Sequence, residues 1–554
     1  MKYLVRKMMR NIKSVLYGLL IAITIASCKS IPVVNAPVPA ASEVAVEAVA
    51  KKTPLTEDEK KSWGHADLIK DSIPGMSVHL AYDFLKGKKG KQVVVAVMDT
   101  GTDLEHEDLK DVAWVNAKEI PNNGKDDDKN GFIDDVHGWN FLGSIYKENA
   151  ELYRIVLDST IANKATYQRA KKDYDKQVSD ATTNKQRYGQ ILQAVTFANT
   201  NIIKKLNKKE YTKEDLKSID ATDPAIARSV AIADQMFQLG LPSLQEGIDE
   251  LQGLVSAAEK TLKAVSYKGS YRSVLKDDEN SMDTKVYGDN KTGHSIKDDA
   301  HGSHVSGIVA ASRNNGIGMN GVATNVKIMA VRVVPDGDEY DKDVALGIRY
   351  AVDNGAKVIN TSFGKGYSPK AAWVYEAIKY AAEKDVLIVN AAGNDAKDID
   401  INQSFPNDAP DMVNEITNNF ITIGAISSNY NENLLANFTN YGKINVDVFA
   451  PGVQIYSTTP ENEYQYFNGT SMASPGTAGV AALIRSYYPQ LSASQVKQIL
   501  MNSGSKLELE VLKPGTQSQE NPKGIKVPFS ELSVSGRIIN AYNALKMADA
   551  MVNN

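Results

Sequence analysis

A chain of 554 residues with 63 lysines and arginines against 67 acidic residues has a formal charge of −4, a balance that offers no basic surface to a nucleic-acid partner. With 42% hydrophobic and 23% charged residues, it has the composition of a globular body, long enough for a large core and an accessory module. Its single cysteine, Cys28, excludes any disulfide within the chain.

At the N-terminus, Lys2, Arg6, Lys7, Arg10 and Lys13 precede an apolar run from Val15 to Ile25. That run is too short to remain as a membrane span, so residues 1–27 read as an export signal. Ile25-Ala26-Ser27-Cys28 resembles the lipobox of bacterial lipoproteins. The resemblance implies a lipid on Cys28 and anchoring in the cell envelope, on the periplasmic or surface face of a bacterial membrane. An ordinary signal peptide with an incidental cysteine is the competing reading. Residues 28–53, rich in Ala, Val and Pro, read as a flexible tether.

The body begins with residues 54–144. The apolar run Val93 to Met98 predicts a buried strand of a parallel sheet, and Asp99-Thr100-Gly101 turns the chain at its C-terminal edge. Open α/β sheets place their sites at that edge. Further on, Asp126, Asp128, Asn130 and Gly131 resemble a calcium loop, which needs alternating oxygen ligands and a glycine for the sharp turn. The terminal glutamate of such loops is absent, leaving Asp134 or Asp135 as substitutes; a solvated acidic loop is the alternative.

Residues 145–285 read as an inserted module. Tyr167, Tyr174, Val178, Ala181, Tyr188, Ile191 and Val195 fall on one helical stripe, and Leu244, Ile248, Leu251, Val255, Leu262 and Val265 on another. Asp223-Pro224 has the form of a helix N-cap followed by proline at the first helical position. The expectation is a self-contained antiparallel helical hairpin or small bundle. A second reading is an arm that docks a partner or the substrate.

Residues 286–554 complete the body. Strands near Val326–Val334, Val358–Thr361, Val386–Asn390, Phe420–Ile426 and Val446–Phe449 alternate with helices at Asp341–Asn354 and Lys370–Glu383. This predicts an α/β fold, a mostly parallel sheet with helices on both faces. His301-Gly302-Ser303-His304 opens a segment of small residues suited to close helix packing. Gly469-Thr470-Ser471-Met472-Ala473-Ser474-Pro475 places a serine where a buried helix begins.

Asp99, His301 and Ser471 thus stand in the order Asp, His, Ser, and each has a fitting local context. A serine hydroxyl is a weak nucleophile until a histidine takes its proton and a carboxylate fixes that histidine's tautomer. Asp-Thr-Gly is also the signature of aspartic peptidases, but those need a second copy, and this chain has none. The Gly-x-Ser-x-Gly of esterases fails at Ala473.

These three blocks resemble those of subtilisin-like serine peptidases, the subtilases. The resemblance runs from about Trp63 to Leu545, interrupted by the insertion. It implies that Asp99 orients His301, that His301 is the general base and acid, and that Ser471 attacks the scissile carbonyl. Asn394 would be the oxyanion-hole donor. Ser362, Phe363 and Gly364 would form the strand that pairs with an extended peptide, and Ala391, Ala392 and Gly393 would wall the first specificity pocket. His304 reads as a structural neighbour of the base. Asp108 and Asn315 resemble part of the family's tight calcium site. The segment from Pro54 to Lys91 looks too short for the folded inhibitory propeptide that subtilases often carry. The implied activity is a serine endopeptidase acting on proteins or peptides, with calcium as a structural cofactor. The competing class is a membrane-tethered binding scaffold whose triad is silent.

Overall fold

The computed structural model describes residues 36–45, 47–297, 299–518 and 521–553; the export signal and Cys28 lie outside them. The body is built on one nine-stranded sheet. Its main strands are β1 (Val93–Asp99), β2 (Gly138–Asn140), β3 (Val326–Arg332), β4 (Val358–Thr361), β5 (Leu387–Ala391), β6 (Phe420–Ile426) and β7 (Val448–Pro451). Two short strands, Arg537–Ile538 and Ser505–Lys506, extend the edge beyond β7. From that edge the order runs Ser505–Lys506, Arg537–Ile538, β7, β6, β5, β4, β1, β3, β2. Every pairing is parallel except the one between the two short strands.

β1 shows why the central strands read as unbroken apolar runs. Val95 and Val97 point into one core while Ala96 and Met98 point into another, so both faces of the strand are buried. Helices α1 (Glu57–Ser62) and α2 (Val78–Leu85) precede the sheet. α3 (Glu151–Leu157), α4 (Lys164–Leu206), α5 (Pro224–Gln238) and α6 (Leu244–Ser266) make up the insertion. After it come α7 (His301–Ala310), α8 (Asp341–Asp353), α9 (Ala371–Glu383), α10 (Thr470–Tyr487), α11 (Ala493–Ser503) and α12 (Ala541–Asn553). Residues of α2, α7, α10, α11 and α12 cover the Val95 face, and those of α8 and α9 cover the Met98 face. The α/β architecture expected from the sequence is the one observed.

Several elements were not read from the sequence, among them β2, the two short edge strands and a hairpin. Strands β8 (Ile455–Thr459) and β9 (Glu463–Phe467) form an antiparallel hairpin whose turn carries Glu461 and Asn462 at positive φ, with no glycine to announce it. The hairpin lies directly on α7. A Cβ on Gly307 would stand 2.3 Å from the Thr458 hydroxyl oxygen, so only glycine permits that approach.

In the insertion, α4 and α6 pack antiparallel, with Val195 and Ile191 meeting Leu244, Ile248 and Leu251. Nearer the body, Ala170 and Tyr174 meet Val265. Asp223 caps α5 by accepting from the Ala225 and Ile226 amides, with Pro224 at the first position. The free-standing part is narrower than 145–285, because the flanks are embedded in the body. Arg272, 1% exposed, grips Asp343 of α8 through two hydrogen bonds of 2.6 and 2.7 Å. Asp277 joins both Arg272 and Lys342, and Leu152, Tyr153 and Ile155 of α3 share a core with Tyr367.

Candidate active site

Asp99, Thr361 with Ser362, and Ala391 end three neighbouring parallel strands, so they gather along one edge of the sheet. α7 and α10 pack against each other and begin with His301 and with Thr470-Ser471. His301 Nδ1 lies 2.7 Å from Asp99 Oδ1, an oxygen that also accepts from the Thr100 amide at 2.8 Å. The carboxylate can only accept, so Nδ1 carries the proton and Nε2 presents a lone pair. Burial opposes charging His301. The adjoining Asp99 charge and its hydrogen bond outweigh burial and hold the imidazole pKa above its ordinary value, with Asp299 adding to the effect. Arg332, buried at the end of β3, fixes the turn after Asp99 by donating Nε to the Thr100 carbonyl at 2.7 Å. Its Nη2 reaches the Ile145 carbonyl, tying the same turn to the start of the insertion.

His304 has a different environment. Its Nε2 lies 3.1 Å from the carbonyls of both Ile455 and Gln465, and its ring stacks on Phe467 at 4.2 Å. Burial presses its pKa down to about 3, so it stays neutral and anchors the hairpin.

Ser471 sits in the first turn of α10. Its hydroxyl donates to the Ser362 carbonyl at 3.1 Å, and the Ser362 hydroxyl returns a bond to the Ser471 carbonyl at 2.9 Å. The Thr470 amide is taken by Asn394 Oδ1 and the Met472 amide by the Gly469 carbonyl. The Ser471 amide has no partner among the described residues, as expected for an orphan donor of a first helical turn.

Asn394 is held by its oxygen alone. Oδ1 accepts from the Thr470 amide at 2.9 Å and the Thr470 hydroxyl at 3.0 Å, which fixes the orientation of the amide and leaves Nδ2 without a partner among the described residues. The Thr470 hydroxyl also accepts from the Gly393 amide at 3.0 Å. Asn440, unnoticed in the sequence, braces the loop from behind. It donates to the Ala392 carbonyl and accepts from the amides of Asp395 and Lys397. Gly393 has φ +101°, and a Cβ there would lie 2.5 Å from Asn440 Nδ2.

A cleft of about 940 Å³ opens beside these groups. Thr470, Ser471, Asn394, Gly393 and Ala391 line one end, and Ser362, Phe363 and Gly364 continue along it toward Tyr367. Ala392 is buried and faces a small cavity behind the loop with Ile399 and Met412. The insertion also lines the cleft, through Ala150, Leu152, Arg169, Asp173, Lys176 and Gln177.

The residues of the acidic loop separate into two groups. Carboxylate oxygens of Asp126, Asp128 and Glu119 lie within 4.8 Å of one another. Glu119 Oε1 accepts from the amides of Asp127 and Asp128, while Oε2 is buried with no partner. Asp134, outside that group, accepts from the amides of Asn123 and Gly124, as Asp126 within it does from those of Asn130 and Gly131. Asp135 is spent on Asn116, Asn130 and Tyr350. Asn130 contributes its amides rather than an oxygen to this loop, with its Oδ1 on the Phe132 amide. Glu119 precedes the motif by seven residues, outside the spacing of a calcium loop, which is why the sequence did not reveal it. Elsewhere, Asn315 Nδ2 meets Asp108 Oδ1 at 2.5 Å, and Asp108 Oδ2 accepts from Met319 N and Tyr464.

Comparison with known proteins supplies a family. The model described as "Subtilase family" matches residues 225–523, a span that holds His301, Asn394 and Ser471 and begins after Asp99. The chain is 41% identical over 208 residues to subtilisin DY of Bacillus licheniformis, covering 37% of this chain and 71% of that protein. It is 39% identical over 208 residues to thermitase of Thermoactinomyces vulgaris, covering 37% and 68% respectively. Among solved structures, a protease from Pseudoalteromonas arctica PAMC 21717 aligns over 88% of this chain and 97% of its own, with 21% identity and a TM-score of 0.43.

Proposed function

This chain belongs to the subtilase family, and from that premise we propose that it is a serine endopeptidase working through Asp99, His301 and Ser471. His301 Nε2 takes the Ser471 proton as the hydroxyl attacks a peptide carbonyl, and the same nitrogen returns the proton to the leaving amine. Asp99 holds the tautomer and stabilises the imidazolium that forms. The oxyanion is met by the Ser471 amide and Asn394 Nδ2, two donors that have no other partner among the described residues. The acyl group stays on Ser471 until water, activated by His301, releases it. In the resting arrangement the Ser471 hydroxyl is bonded to Ser362, so attack requires rotation about its Cα–Cβ bond.

The observation that carries this reading is the 2.7 Å contact between His301 Nδ1 and Asp99 Oδ1, formed across 202 positions of sequence. A fluorophosphonate probe tests it. The wild-type chain becomes labelled and Ser471→Ala does not; absence of label on both would mark the triad as silent and leave a binding scaffold.

Calcium is the structural cofactor that Glu119, Asp126 and Asp128 fit, since three carboxylates converge and Glu119 Oε2 is buried without a partner. Bound there, the ion would neutralise the cluster and pin the loop that precedes the insertion. Lipidation at Cys28 would hold the enzyme in the cell envelope. Cys28→Ala should then release it from the membrane fraction, and retention of the variant there would refute the anchor.

A further inference from the structure

Resting on the peptidase reading above, we propose that the helical insertion is a specificity wall, in which Arg169 of α4 receives an acidic side chain of the substrate. The insertion supplies one side of the cleft that holds Ser471, so a bound peptide must run along it. Its position there is fixed. Arg169 Nη2 donates to the Gly366 carbonyl at 3.1 Å, and its guanidinium lies 4.3 Å from the centre of the Tyr367 ring. The Tyr367 hydroxyl donates to Asp173 Oδ2 at 2.5 Å. Underneath, Lys365 Nζ meets Glu151 of α3 at 2.7 Å, and Glu151 pairs with Arg154 at 2.6 Å. These contacts join the segment that follows β4, Ser362 to Tyr367, to the insertion.

The register is bounded by chain length. Gly366 and Tyr367 lie four and five positions beyond Ser362, whose carbonyl touches Ser471. The chain between is not a regular strand and bends at Gly366, and five residues span at most about 17 Å. An extended peptide advances about 3.3 Å per residue, so a substrate residue within about five positions of the scissile bond comes level with Arg169.

The charge follows from what is already satisfied. Asp173 is engaged by Tyr367, Asp338 Oδ2 by the Glu151 amide at 2.8 Å, and Lys176 by Asp180 at 2.8 Å. Arg169 forms no ion pair among the described residues, although it is exposed on the cleft and has donors to spare. A guanidinium presents paired donors that match a carboxylate in two parallel hydrogen bonds. Glutamate or aspartate at that substrate position completes the site.

The test uses decapeptides that differ only by Glu or Gln at each of the first five positions from the cut. In the wild-type protein, kcat/KM should favour Glu at one of these positions by about five- to tenfold. The ratio should fall to about one in Arg169→Ala and recover partly in Arg169→Lys, a rescue that a merely structural role would not produce. Binding of the same peptides to Ser471→Ala, read by fluorescence anisotropy, reports the subsite without catalysis. A Glu preference there that depends on Arg169 supports the wall even if the wild type resists the fluorophosphonate, a result that would sink only the catalytic reading. Equal binding of Glu and Gln peptides, or a Glu preference undiminished in a folded Arg169→Ala protein, overturns the proposal.

Discussion

His301 and Asp99 share one hydrogen bond through Oδ1, while the second carboxylate oxygen, Oδ2, is buried with no partner. A buried carboxylate left half-satisfied is costly unless a nearby cation compensates it, so the imidazolium form of His301 is the one that Asp99 favours. This has a direct consequence for pH dependence.

The base must be neutral to act, and Asp99 raises the His301 pKa above its ordinary 6.5. The acid limb of kcat/KM should therefore have its midpoint above pH 6.5, activity rising with pH through it. The stability contribution of the pair runs the other way: it is present in full below pH 6.5 and is lost as pH rises through the folded pKa. Asp99→Asn should shift the limb downward and lower kcat by about 10⁴, the cost established for the equivalent change in another serine peptidase. A limb unmoved in Asp99→Asn would assign it to a group other than His301.

Asn394→Ala should lower kcat by about 10²–10³ with KM nearly unchanged, the range measured for the corresponding donor of subtilisin rather than one derived from this chain. Thr470→Val offers a finer probe. It removes the hydroxyl that holds Asn394 Oδ1 and accepts from Gly393, while the Thr470 amide keeps its own bond to Asn394. A smaller drop, again in kcat, is expected. Steady-state kinetics showing a rise in KM alone would place Asn394 in ground-state binding instead.

Chelation should lower the melting temperature, because an ion bound only to the native state stabilises it by about 2.7 kcal/mol at a hundredfold excess over Kd. Glu119→Gln and Asp128→Ala should each remove most of that sensitivity, whereas Asp134→Asn should keep it, since Asp134 lies outside the converging group of Glu119, Asp126 and Asp128. Differential scanning calorimetry with and without calcium distinguishes the three. Equal chelator sensitivity in Glu119→Gln would remove Glu119 from the site.

Excising residues 164–266 and excising 145–285 should give different outcomes. The shorter cut retains Arg272, Asp277, Glu151 and Arg154. The longer one takes both Asp277 and the Asp278 carbonyl from buried Lys342, and Glu151 from Lys365, which keeps Asp341. It also takes the Arg272 guanidinium from Asp343, which keeps only the Tyr287 hydroxyl among the described side chains. Breaking a buried pair from one side costs about 3–5 kcal/mol, so the longer deletion should fail to fold while the shorter one folds. Circular dichroism melts of the two variants check this; equal stability would show that the flanks are dispensable.

The sheet was legible because burial on both faces turns its strands into continuous apolar runs. Residues 358–361 and 420–426 could be bounded to the residue for that reason. The three blocks around Asp99, His301 and Ser471 were legible because each couples a reactive side chain to a strand end or helix start. The supports were not. Thr470, Asn440 and Arg332 act through backbone carbonyls and amides that sequence spacing does not encode. Glu119 lay outside the motif, and the β8–β9 hairpin has no glycine at its turn. The stripes of α4 and α6 predicted that these helices meet, but Arg169 and Asp173 lie off the stripes, so their place on the cleft was invisible.

The insertion also bears on chain entropy. The Tyr174 hydroxyl donates to the Val265 carbonyl at 3.3 Å, so the arm's outgoing and returning helices are clasped where they leave the body. Once that clasp forms, the 202 positions between Asp99 and His301 behave as a loop roughly half as long. Loop closure costs about 0.6 kcal/mol per doubling, so bringing the two residues together is burdened little by the hundred or so residues placed between them. An arm that closes on itself can lie between Asp99 and His301 without loosening their contact.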